Sequence, residues 1–107
     1  MTKTATPKTL IIKAIQIKGN CPVYKLGEKT IIDSPEINLK KSDKVCVHAL
    51  FALGTFIVGL REGLDPELLG LAKEGNKKAY FHCLDPGQPY TNGGTVTFEV
   101  SQVSSKK

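Results

Sequence analysis

The chain has 107 residues, 40% of them apolar and none of them tryptophan. That suffices for one compact core and leaves too little for several domains. The formal net charge is +5, but Lys3, Lys8, Lys106 and Lys107 sit in the terminal segments, so residues 9–105 carry 11 bases against 10 acids. A nearly neutral body, with no basic stripe interleaved with aromatics, argues against nucleic-acid binding. No apolar run is long enough to span a bilayer, which argues against a membrane partner. Met1 to Lys8 is polar and Lys13 interrupts the next apolar run. No secretory leader is expected, and a cytoplasmic location is the expectation. The expected organisation is a single domain over 1–107, with an ordered core at about 9–103 and two polar tails.

Residues 9–18, TLIIKAIQIK, predict a first strand, alternating toward its end as Ile15 and Ile17 against Gln16 and Lys18. Gly19-Asn20 signals a turn, and Pro22 keeps the chain extended at Cys21. Residues 28–33 predict a short strand, Ser34-Pro35 a turn, and residues 36–39 a minor strand. The stretch 45–60, VCVHALFALGTFIVGL, holds no charge and only His48 and Thr55 as polar groups. As a helix it would run roughly 24 Å, too short to cross a bilayer, with apolar side chains on all sides. It predicts a buried central helix, with Ser42 or Asp43 as N-cap and Gly63 as C-cap behind Arg61.

Asp65-Pro66-Glu67 is an N-cap, N1 proline and first-turn acid in sequence, predicting a short second helix through residue 72 or 73. Residues 78–84 predict a strand, and residues 85–94, DPGQPYTNGG, a turn-rich connection. Gly93-Gly94 precedes a strand and reads as a hairpin turn. In residues 95–103, Val96, Phe98 and Val100 alternate with Thr97, Glu99 and Ser101, the clearest strand pattern of the chain. The expected fold class is α+β: a small curved antiparallel sheet, a partial barrel, packed on one buried central helix, plus a short second helix.

Cys21, Cys46 and Cys83 come from three different predicted elements, each near an element end, where segments converge at one rim of a sheet. The first turn of a helix favours a thiolate, which suits Cys46 as a ligand or nucleophile. Three is an odd number, and without a secretory signal a disulfide framework is not expected. Independent buried thiols are the plain alternative. No CxxC pair occurs, so zinc-ribbon and ferredoxin spacings are missing. In a regular helix His48 lies about 200° around from Cys46, and in a regular strand His82 faces away from Cys83. Both histidines therefore read as supporting residues or alternative ligands, as does Asp85. Three thiolates without a fourth side-chain ligand suit an iron–sulfur cluster of the 4Fe–4S type with one iron open. Zinc with water in its fourth position is the alternative.

Three segments also resemble the motifs of a family of small uncharacterised proteins of archaea and anaerobic bacteria. KGNCPVYKLGE, from Lys18, resembles its K-G-x-C-P segment; CVHALFALGTFIVGLREG, from Cys46, its C-x-H-A-L helix; and CLDP, from Cys83, its C-x-D-P turn. The resemblance covers roughly residues 9–103, and Gly54-Thr55 stands where that pattern carries an aromatic and a proline. It implies no activity, but its shared positions are the cysteines, which favours a common site for Cys21, Cys46 and Cys83. Three functions compete. One is a metal or iron–sulfur protein with a redox or protein partner. Another is an enzyme with Cys46 as nucleophile, His82 or His48 as base and Asp85 as orienter. The third is an interaction module that forms homo-oligomers through exposed edges.

Overall fold

A computed structural model of the protein describes residues 7–104. Lys3, Lys106 and Lys107, read as tail charges, lie outside the described residues. The strands are β1 (Lys8–Lys18), β2 (Lys29–Asp33), β3 (Glu36–Ile37), β4 (Ala79–His82) and β5 (Thr95–Ser104); between β3 and β4 lie helices α1 (Val47–Leu53) and α2 (Phe56–Arg61). The sheet order is β3-β2-β1-β5-β4, with every pairing antiparallel. The fold is α+β, and its five-stranded sheet is open, with β3 and β4 as edges, instead of closing into a barrel.

The alternation read in β5 is the alternation of burial: Val96, Phe98 and Val100 are all at 1% exposure or less. They meet Leu10, Ile12 and Ala14 of β1. Phe98 stands at the centre, stacked on its cross-strand partner Phe81 and edge-on to Tyr24, with 5.0 Å between centroids in both pairs. In β1 the register shifts between Ala14 and Gln16, leaving Ile15 unpaired and 39% exposed. One extra residue swaps the faces of a strand. The inward set therefore runs Leu10, Ile12, Ala14 and then Ile17, which is why Ile15 and Ile17 do not share a face as their spacing suggests.

The single helix expected over 45–60 is two helices. Gly54 takes φ 55° and ψ −133°, outside any helical conformation, and its N–H ends α1 on the Leu50 carbonyl. Nor is this segment buried on all sides. Ala49, Leu53 and Leu60 enter the core, whereas Val47, Phe51 and Val58 are 56%, 72% and 52% exposed. An unbroken apolar composition cannot say which face meets the sheet, and here one sheet covers one face only. The N-cap is Cys46, while Ser42 Oγ and Asp43 Oδ2 accept the Ile31 and Lys29 N–H groups and so tie the preceding loop to β2. Gly63 does close α2: at φ 88° its N–H reaches the Leu60 carbonyl and that of Leu64 reaches Gly59, both at 3.0 Å, a Schellman motif.

The expected second helix after Asp65 does not form. Asp65 Oδ1 accepts the Glu67 N–H, but Gly70 turns to φ 77° and residues 66–70 make only turns. Glycine, with no Cβ to resist that φ, ends the helix within its first turn. Among the described residues no helix is long and apolar enough to cross a membrane.

Ser34, between β2 and β3, is the one described non-glycine residue with positive φ, at 57°. With Asp33 paired to Glu36, it holds the first central position of a two-residue hairpin loop, which favours glycine. Ser34→Gly is expected to raise stability by up to about 1 kcal/mol, seen as a higher urea midpoint with an unchanged slope. An unchanged or lower midpoint would show that the serine is not strained there.

Candidate functional site

At one end of the sheet a cleft of about 590 Å³ opens between three segments: the turn after β1, the start of α1, and the loop between β4 and β5. Each segment brings one cysteine. Cys21 Sγ accepts the N–H groups of Val23 (3.4 Å) and Tyr24 (3.3 Å). Pro22 supplies no N–H, so the turn offers the sulfur the next two amides along. Cys83 lies one residue past β4 and is 7% exposed; its backbone N–H bonds the Val96 carbonyl, its Sγ accepts the Val96 N–H at 3.3 Å and faces the Gly94 carbonyl at 3.7 Å. Cys46 ends the loop entering α1, with φ −122° and ψ 128°.

That extended backbone alters the expected relation of Cys46 to His48. Helical spacing places them apart, but Cys46 precedes the helix, and both residues line the cleft. His82 is exposed and outside the cleft, its Nδ1 2.5 Å from the Cys83 carbonyl, on the face opposite Cys83 as strand alternation requires. Of the six residues singled out from sequence, Cys21, Cys46, Cys83, His48 and Asp85 line one cleft and His82 does not. Among the described residues, no three His, Cys, Asp or Glu side chains are gathered closely enough to hold a single metal ion.

Asp85 is fixed by its own loop: Oδ1 accepts from the Gly87 N–H at 2.8 Å and from the Thr91 hydroxyl. The Thr91 hydrogen bond first, then the Gly87 amide and the charge of His48, hold this carboxyl below its ordinary value. A depressed acid stabilises the fold above the ordinary carboxylate pKa and loses that contribution as pH falls through the depressed value. Thr91→Val should therefore move the Asp85 titration upward, followed by carboxyl NMR shifts, and start acid unfolding at higher pH. An unmoved titration would mean that the hydroxyl does not set it.

Tyr24 was not singled out by sequence reading, yet it joins two walls of the site. Its N–H bonds Cys21 Sγ, while its hydroxyl meets Thr30 Oγ1 at 2.5 Å and the Lys44 carbonyl at 3.4 Å, two residues before Cys46. Burial pushes this phenol above its ordinary value, against the lowering by its hydrogen bond with Thr30. The only signal in the sequence was its place three residues after Cys21. Gly94, in the hairpin loop that joins the antiparallel strands β4 and β5, also packs against the turn after β1, its N–H on the Lys18 carbonyl at 3.0 Å. A Cβ on Gly94 would lie 2.5 Å from the Asn20 carbonyl oxygen. This backbone-to-backbone approach brings the Cys83 loop beside the Cys21 turn.

Comparison with known proteins returned no match among protein-family models, curated proteins or solved structures.

Proposed function

We propose that this chain binds an inorganic cofactor through Cys21, Cys46 and Cys83, and that the cofactor is an iron–sulfur cluster of the 4Fe–4S type with one iron open to an outside ligand. The observation that carries this reading is the common cleft: cysteines from three distant segments line one space. Zinc–sulfur bonds of about 2.3 Å demand sulfurs clustered around one point, whereas a cluster spreads its ligands over several irons.

The residues around the sulfurs suit that chemistry. Backbone N–H groups on Cys21 and Cys83 are the kind of hydrogen bonds that tune a cluster's potential. Val96, Phe98 and Val23 supply apolar walls that limit water, and His48 with Asp85 offers a polar mouth for an exogenous ligand. When bound, the cluster supplies one-electron transfer or a Lewis-acidic iron. The three free cysteines match a reducing compartment, so a cytoplasmic location and a redox or protein partner belong to this proposal.

Anaerobic reconstitution with ferrous iron and sulfide should give a brown protein with about four irons per chain. Cys21→Ser, Cys46→Ser and Cys83→Ser should each weaken iron retention by more than the ~10–100-fold typical of supporting groups. A colourless wild-type protein, or iron retained at the wild-type level in all three variants, would reject the proposal.

One observation favours a second reading. His48 and Asp85 line the same cleft as Cys46, the parts of a thiol nucleophile with base and orienter. Selective, stoichiometric alkylation of Cys46 at neutral pH, lost in His48→Gln, would support it. Three thiols reacting slowly and alike would remove it.

A further inference from the structure

A second concavity, about 430 Å³, lies between the β2–β3 hairpin and the two helices, and shares no lining residue with the cysteine cleft. Its walls are Ile32, Pro35 and Ile37 from the hairpin side, and Leu50, Phe51, Ile57 and Val58 from the helices. Gly54 lies between the helices, where a side chain would press on the Phe51 carbonyl at 3.2 Å. The polar side chains on the lining are Ser34 and Arg61.

Arg61 is the informative one. Among the described residues its guanidinium is hydrogen-bonded only to the adjacent Glu62, Nη2 to Oε2 at 3.3 Å, and its buried Nε has no acceptor. The Nε is closed off from the groove, but the side chain stays partly exposed (22%), and a planar guanidinium can hold a carboxylate through two parallel hydrogen bonds from its other N–H groups. An apolar groove of this size with one cation on its lining has the composition of a small-molecule site: apolar walls and few polar groups that set orientation. The exposed Phe51 and Val58 are then the rim over which an apolar tail lies, which accounts for large side chains left in water beside the groove.

We infer that this groove binds a medium-chain carboxylic acid, its tail along the hairpin and helices and its carboxylate on Arg61. Isothermal titration calorimetry with decanoate, decanol and decyltrimethylammonium tests it. Decanoate should bind at least ten-fold more tightly than decanol, with no measurable heat from the ammonium. Arg61→Gln should erase that preference and Arg61→Lys restore part of it. Val58→Glu, at an exposed rim position, should abolish decanoate binding while circular dichroism stays unchanged. No decanoate binding, equal affinity for decanol, or an unaltered preference in Arg61→Gln would overturn the inference. Cys21→Ser should leave decanoate binding intact, so failure of the cluster proposal and failure of this one are separate results.

Discussion

Replacing Gly94 by alanine should destabilise the fold by about 3 kcal/mol or more, read as a large drop in the urea midpoint. Two causes add. Gly94 sits at φ 116°, which L side chains rarely adopt, and the new Cβ would lie 2.5 Å from the Asn20 carbonyl oxygen, a backbone atom that cannot swing aside. Gly27→Ala separates them: its φ is 87° but nothing lies within 4 Å of the added carbon, so it should lose only about 1 kcal/mol. The same substitution at Gly94 should disturb the site. The Gly94 N–H holds the Lys18 carbonyl and its carbonyl faces Cys83 Sγ, so pushing the loops apart separates the Cys83 wall from the Cys21 wall. An alanine at 94 no worse than one at 27 would show that the loop approach is not a constraint.

Phe98→Ala should cost about 3–5 kcal/mol. Phe98 is fully buried, contacts rings on both sides, and forms part of the cleft floor. The cavity left behind would remove the edge-on support of Tyr24, which connects Cys21 with the segment leading to Cys46. Water entering beside Tyr24 should bring its phenol back toward the ordinary value, seen in the tyrosinate absorbance on alkaline titration. Phe98→Leu, which refills much of the space, should lose distinctly less in both measurements. A Phe98→Ala protein with wild-type stability and an unmoved Tyr24 titration would mean that the floor is not tightly packed.

The strands were legible because their information is local. In β5 the period-two pattern is the burial pattern, and the turn signals at Gly19-Asn20 and Ser34-Pro35 fall between strands. The errors also have local origins. Ser42 and Asp43 are good N-cap types, but a side-chain oxygen bonds whichever amide is nearest, and the β2 amides are nearer. Gly54 inside an apolar run reads as a tolerated helix residue, yet it adopts a conformation that splits the helix. The turn after Asp65 has every helix-start signal and is ended by Gly70 one turn later.

The candidate site was legible in its parts and not in its assembly. That the cysteines lie at or beyond element ends follows from Pro22, from the loop before α1, and from the turn residues after Cys83, all visible along the chain. By itself the amino-acid sequence determined the α+β class, the strands with their turns, and the inward face of β5, since these depend on side-chain period and on backbone preferences of single residues. The tertiary structure alone decided three things: that the thiols share one cleft, that Tyr24 joins two of its walls, and that an apolar helical face stays in water beside Arg61. Those outcomes depend on the β1–β5 register, on the unpaired Ile15 and on the approach of Gly94 to Asn20. They are relations between segments far apart in the chain, and no window of neighbouring residues records them.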